Sequence, residues 1–262
     1  MLLADKVVVV SGIGPGLGVK LAVEAARTGA RAVVVAARTA AKLDDAESRI
    51  RALRSDCEVL KIPTDIVDRG QCRQLVSAAL ARFGRIDALI NSAFCHGPFE
   101  PVSTCDLENW REVFETNIFG SMTLTQELIP QMKLQGSGSI LFINTQAIRR
   151  PFAGEGAYAA SKGALKVLAA YLAGEVGPHG IRVNTLLPGW MWGEPVQGYV
   201  RQAAEQKGVS EEKIAAGIAA NFALRRIVSD DEVARAAMML ISDYASAVSG
   251  ATLDANGGDF LP

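Results

Sequence analysis

The chain has 262 residues, is 49% hydrophobic and carries a formal net charge of −1. That composition supports a sizeable buried core and leaves no basic stripe of the kind that binds nucleic acid or an anionic membrane surface. The opening segment MLLADKVVVVSG turns polar too soon for a secretory signal, and no apolar run approaches the roughly 18 residues of a membrane span. Four cysteines (Cys57, Cys72, Cys95, Cys105) lack CxxC spacing, which predicts reduced, packing thiols in a cytoplasmic protein. Only His96 and His179 are present, without carboxylates spaced around them, so no metal site is expected. No composition break or Pro-rich linker divides the chain, and 1–262 reads as a single domain.

In chain order, short β-branched runs alternate with segments of helical period. Residues 6–11 (KVVVVS) form a continuous apolar run, as expected of a parallel strand covered on both faces. A helix over 17–28 follows, stopped by Gly29. Strands are predicted over 32–36, 58–62, 87–91, 139–144, 181–187 and 251–254, and helices over 39–54, 68–83, 155–176 and 230–242. Asp106 is a good N-cap for one long helix reaching about 134 and bent at Pro130. Residues 188–224 read as irregular and partly helical. This βαβ alternation predicts an α/β fold: a Rossmann-like, doubly wound, seven-stranded parallel sheet flanked by helices on both faces.

Gly12, Gly14, Gly16 and Gly18 sit where the first strand hands over to the helix that begins at Leu17. Glycine takes positive φ and carries no side chain, so a pyrophosphate can approach the backbone there. The helix N-terminus offers that anion unpaired N–H groups and a partial positive charge. Tyr158 and Lys162 stand four residues apart on a helix and therefore share a face. A nearby ammonium favours phenolate, so the pair is a candidate proton-transfer group, with the phenol pKa expected to fall. Thr145, thirteen positions before Tyr158, ends the fifth strand with a hydroxyl that can both donate and accept.

Together, the spacing Gly12-xxx-Gly16-x-Gly18 and Tyr158-xxx-Lys162 makes the chain from about residue 4 to 258 resemble the short-chain dehydrogenase/reductase family, in its single-domain branch of roughly 250 residues. The resemblance implies that Tyr158 is the general acid or base, that Thr145 stands where relatives carry the serine that holds the reacting oxygen, and that Lys162 lowers the tyrosine pKa and grips the nicotinamide ribose. It further implies that Asn117 supports a water path to the lysine, that Asp65 and Ile66 flank the adenine, and that Asn91 and Ala93 pass near the adenosine ribose. Pro188, Gly189 and Met191 then border the nicotinamide. Phe94 occupies what is usually a glycine (NSAF), and Gly193 stands where a threonine is common.

The second strand ends Ala36-Ala37-Arg38 with no carboxylate for a ribose 2′-OH. An arginine there suits a 2′-phosphate, which favours NADP(H) over NAD(H). Phe94, Phe152, Trp190, Trp192 and Tyr199 are candidate substrate contacts, with a lid over about 189–224. An apolar wall of this kind points to an aliphatic or cyclic alcohol or ketone as substrate. Arg149 and Arg150 keep a 3-oxoacyl-[acyl-carrier-protein] reductase in view as an alternative, and a nucleotide-binding regulator without turnover is the reading from another class. The small residues of 156–176, together with the family resemblance, imply a homotetramer, with a dimer as the alternative.

Overall fold

The structure, a computed structural model, describes residues 1–261. Seven strands form one parallel sheet in the order β3-β2-β1-β4-β5-β6-β7. They are β1 (Val7–Ser11), β2 (Ala32–Ala37), β3 (Glu58–Pro63), β4 (Ala88–Asn91), β5 (Gly138–Ile143), β6 (Ile181–Pro188) and β7 (Thr252–Ala255). The helices are α1 (Leu17–Arg27), α2 (Ala40–Ala52), α3 (Arg69–Phe83), α4 (Leu107–Phe114), α5 (Ser121–Gln135), α6 (Gly156–Val176), α7 (Glu194–Lys207), α8 (Glu211–Ala219) and α9 (Asp230–Ile241).

The alternation of side chains along a strand explains the two-sided core. In β1, Val8 and Val10 point to one face with Val33 and Val35 of β2, under Leu21 of α1, Leu43 of α2 and Met238 of α9. Val7 and Val9 point to the other face with Val34, under Leu75 of α3, Leu124 of α5 and Leu165 of α6. A strand buried on both faces has no polar position to spare, and this is why β1 reads VVVVS. Helix ends are closed by local chemistry. Asp68 caps α3 through the Gln71 amide, Gly84 ends that helix in the left-handed region, and Ser229 with Glu232 forms a capping box on α9.

The predicted long helix from 106 is three pieces. Asp106 caps α4, but residues Glu115–Gly120 follow a π-helical path before α5 begins. Pro130 lies inside α5, which continues to Gln135, so the irregularity falls at 115–120 instead. There the Asn117 side chain turns inward, accepting from the Cys95 amide (2.7 Å) and donating to the Cys95 carbonyl (2.9 Å) and the Ser161 hydroxyl (2.9 Å). Bulges of this type cluster at functional sites because they re-aim one side chain. The segment after β6 expected to be irregular and partly helical contains the two helices α7 and α8.

Chain order reverses between β1 and β4, and in such sheets a crevice opens at the carboxyl ends of the strands at that switch point. Phe142, fully buried in β5, stands in the core beneath it. Phe142→Ala is expected to cost about 3–5 kcal/mol, measurable as a lowered midpoint in equilibrium denaturation.

Candidate active site

The carboxyl ends of β1 to β6 open into one cavity of about 560 Å³. One part of its wall is the glycine turn. Gly12 has φ +86°, and a Cβ there would fall 2.1 Å from the Ala93 amide nitrogen, so only glycine lets the β1 turn touch the end of β4. Gly18 packs equally tightly, its ideal Cβ lying 2.2 Å from the Gly12 carbonyl oxygen. Gly14 and Gly16 differ from these two. Nothing lies within 4 Å of a Cβ at either, and both line the cavity, so they form a cradle that side chains would fill. Gly16 is the N-cap of α1, with no side-chain cap and no acidic residue in the first turn. The donor set therefore fits an anion such as a pyrophosphate.

Arg38 lines the same cavity with Thr39 and Lys42, the latter two missed by sequence reasoning. Arg38 and Lys42 are exposed. The nearby carboxylates of Asp44, Asp45 and Glu47 are engaged by Lys61, Arg49 and Arg51, leaving both cations uncompensated among the described residues. Asp65 and Ile66 also line it, Asp65 accepting from the Val67 amide at 3.1 Å. Ala93, Phe94, Pro188, Gly189 and Met191 complete the predicted lining. Asn91 does not reach the cavity. It is buried in β4, where its side chain donates to the Thr125 hydroxyl of α5 at 3.0 Å.

Thr145, Tyr158 and Lys162 meet in this cavity. Thr145 caps the short turn Gln146–Ile148 through the Ala147 amide and shares the cavity with the Tyr158 phenol. Asn144 holds this corner together, donating to the Lys162 carbonyl and accepting from the Thr145 amide, both at 2.8 Å. Lys162 is 2% exposed, and its Nζ donates to the Ile143 carbonyl at 2.8 Å while lying 5.9 Å from the Tyr158 ring centroid. Burial pulls this ammonium down to about 8, with no carboxylate opposing it. Burial also pushes the Tyr158 phenol well above its usual value; the Thr145 hydroxyl works against this and the Glu155 charge adds to it. The expected lowering of the tyrosine pKa is thus reversed here. Desolvation is the largest cause, and the ammonium is aimed at the Ile143 carbonyl and not at the phenol. Asn117 lies just behind, and its neighbour Thr116 is the one that lines the cavity.

Of the predicted substrate contacts, only Phe94 lines the cavity; the residue is 59% exposed, and its ring stands 6.0 Å from the Tyr158 ring with the planes 55° apart. Phe152, Trp190 and Tyr199 form a cluster of their own, with centroids 6.5 and 5.5 Å apart. Trp192 joins neither group, its amide held by the Val228 carbonyl at 2.7 Å. A Cβ on Gly193 would lie 2.9 Å from the Asp230 carboxylate, which accounts for glycine at that position. Arg149 forks onto Asp254 (2.9 and 2.8 Å) and Arg150 pairs with Asp259 (2.9 Å), so neither is a free cation at the mouth. Among the described residues no cluster of His, Cys, Asp or Glu is arranged to hold a metal, and no helix is long and apolar enough to cross a membrane.

A family model described as Enoyl-(Acyl carrier protein) reductase matches residues 12–259. The chain is 30% identical over 258 residues to levodione reductase of Leifsonia aquatica, spanning 97% of this chain and 94% of that one. A crystal structure of levodione reductase superposes with a TM-score of 0.89 at 28% identity, covering 98% of both chains. L-sorbose reductase from Gluconobacter frateurii, complexed with NADPH and L-sorbose, gives 0.91 at 25% identity and covers 100% and 99% of the two chains. NAD+-bound xylitol dehydrogenase gives 0.88 at 26%, covering 98% and 100%. The chain belongs to the short-chain dehydrogenase/reductase family of oxidoreductases, whose fold neighbours hold pyridine nucleotides of both kinds.

The buried ammonium carries a stability cost of defined sign. A lysine whose folded pKa of about 8 lies below its ordinary value destabilises the native state fully below pH 8 and ceases to do so as pH rises through the unfolded value. The two-and-a-half-unit displacement corresponds to roughly 3 kcal/mol. Lys162→Met removes that penalty but leaves the Ile143 carbonyl unpaired, at about 1 kcal/mol. The variant is expected to be about 1–2 kcal/mol more stable than the parent at pH 7, with the advantage shrinking toward pH 10 in denaturant titrations.

Proposed function

We propose that the chain is an NAD(P)(H)-dependent oxidoreductase that interconverts a secondary alcohol and a ketone on an apolar or cyclic substrate. One observation carries this reading: a phenol (Tyr158), a hydroxyl (Thr145) and a buried ammonium without a carboxylate (Lys162) line the same cavity as an uncapped glycine cradle. The bound nucleotide supplies or takes the hydride and, when oxidised, brings positive charge to the crevice.

The protein's own groups handle the proton. Tyr158, kept neutral by burial, gives its proton to the ketone oxygen in reduction and recovers it from the alcohol in oxidation. Thr145 holds that oxygen in register with the phenol. Lys162 contributes an uncompensated charge near the phenolate that forms, and would hold the nucleotide ribose hydroxyls. Asn117 ties the π-helical turn to the Cys95 loop and to Ser161 on α6, so it fixes the frame on which Tyr158 sits.

Gly14, Gly16, Leu17 and Gly18 would hold the pyrophosphate, Asp65 and Ile66 the adenine, Ala93 the adenosine ribose, and Pro188, Gly189 and Met191 the nicotinamide edge. Arg38 and Lys42, both uncompensated, favour a 2′-phosphate and hence NADP(H). Although L-sorbose and xylitol appear in the names of neighbours, the exposed Phe94 on the cavity wall, with Phe99 nearby on His96, gives this chain an aromatic side better suited to a ring or an aliphatic chain. We read the whole chain as one catalytic domain, with α7 and α8 as the substrate lid, in the cytoplasm, where four free thiols persist. The exposed Phe119, Val167 and Tyr171 around α5 and α6, with open space beside Gly163 and Gly174, support assembly into a homotetramer through those helices.

Two experiments test this reading. With a panel of cyclic secondary alcohols, Tyr158→Phe is expected to lower turnover at least about 10³-fold while nucleotide affinity, followed by fluorescence, stays nearly unchanged; parent-like turnover would remove Tyr158 from the chemistry. Arg38→Ala and Lys42→Ala are each expected to weaken NADP(H) binding about tenfold and leave NAD(H) binding unaltered; an unaltered NADP(H) constant refutes the preference.

A further inference from the structure

The loop after β4 carries His96, which the reading above leaves without a role. Its imidazole lies nearly parallel to the Tyr158 ring, with centroids 4.8 Å apart and planes 27° from parallel, and it also packs on Phe99 at 4.4 Å. Nε2 stands 3.6 Å from a Glu155 carboxylate oxygen, and Nδ1 lies 3.2 Å from the Gly97 carbonyl. A neutral imidazole has a single N–H, whereas here both ring nitrogens face acceptors, so the doubly protonated ring satisfies both contacts. Glu155 accordingly raises the His96 pKa above its ordinary value, against the opposing effect of burial.

The backbone delivers this ring to a fixed place. Asn117 holds both polar groups of the Cys95 peptide, and Gly97, at φ +72°, packs so closely on Val113 of α4 that a Cβ would lie 2.6 Å from it. Among neighbouring charges, Glu155 is in contact with His96. Lys162 lies 5.9 Å from the same phenol ring but is turned to the Ile143 carbonyl. Glu100 is occupied by the Asp106 amide and the Asn109 side chain, and on α4 Glu108 pairs with Arg111.

We propose that His96 is a positioning residue for proton transfer: its imidazolium, clamped by Glu155 and stacked on Tyr158, favours the phenolate and so sets the pH at which Tyr158 accepts the proton of the alcohol. This rests on the reading of Tyr158 as the acid–base group. His96 exchanges no proton in the step; the alcohol proton passes to the phenolate oxygen and returns from it in the reverse direction. While His96 is protonated, the phenolate forms at lower pH. Once His96 is neutral, that help is lost.

The test compares pH profiles of alcohol oxidation by the parent and by His96→Phe, which keeps a stacked ring and removes the charge. On the acid side of the profile, kcat/KM is expected to fall about fivefold to tenfold; the two curves converge at alkaline pH, and KM stays unchanged. His96→Gln, which keeps a donor without a charge, follows His96→Phe. With only two histidines in the chain, NMR titration assigns the His96 imidazole directly, and it should titrate above its ordinary value and move down in Glu155→Gln. Parallel profiles that differ only in KM would make His96 a wall of the pocket and overturn the proposal. A parent His96 titrating at or below the ordinary value overturns it independently of turnover. Turnover retained by Tyr158→Phe strikes the underlying reading instead, and is told apart because the other outcomes leave that variant inactive.

Discussion

The site depends on an ammonium held out of water without a counter-ion. Lys162 sits within the protein, bonded to the Ile143 carbonyl, and no carboxylate comes near enough to neutralise it. A buried charge in that condition costs several kcal/mol unless something compensates. A carboxylate partner would offset the cost and cancel the field as well. The neutral dipole of a carbonyl orients the amine while leaving its charge to act on whatever enters the crevice. The surrounding framework tolerates this because the sheet beneath is packed on both faces by valine, leucine and alanine, with α6 anchored by Leu165, Ala169 and Leu172.

The remaining parts of the site share one constraint, that separate strand ends must touch. Gly12 permits the β1 turn to lie against Ala93, Gly18 lets α1 descend onto that turn, and Asn144 bonds the end of β5 to the backbone of α6 at Lys162. At the far side Gly193 leaves room for the Asp230 carboxylate at the start of α9, itself beside Lys20 of α1. Each contact brings a different element to the same cavity, so the geometry around Thr145, Tyr158 and Lys162 is a property of the carboxyl ends of the strands and not of any single loop.

Much of this was legible in the residues. Continuous valine runs require a strand covered twice, and a helical spacing of four puts Tyr158 and Lys162 on one face whatever surrounds them. What escaped reading depends on three-dimensional neighbours. The π-helical turn at Glu115–Gly120 has no local signature, since Asn117 turns inward only because Cys95 and Ser161 offer it partners from elsewhere in the chain. Asn91 carries a motif position, yet the strand's alternation sends its amide to Thr125. Lys42 was not singled out, because nothing in the chain tells which helical face of α2 meets the crevice. The direction of the tyrosine shift was misjudged for a related reason: spacing reports proximity, while desolvation depends on how completely the fold closes over a group.

The aromatic surroundings of Tyr158 follow from one departure in the loop after β4. A glycine after Ala93 would leave the phenol open to one side; Phe94 instead stands over it, and two residues later His96 stacks upon it. That loop has few backbone bonds of its own and is held chiefly by Asn117 and by the bridge from Glu100 to Glu155. The same bridge fixes Glu155, whose carboxylate meets His96 and whose backbone precedes α6. Cavity wall, histidine ring and tyrosine position are therefore mechanically one unit. The shape of this side of the cavity and the surroundings of Tyr158 would not vary independently in this chain, because a change in the loop that moves Phe94 also moves the imidazole against the phenol.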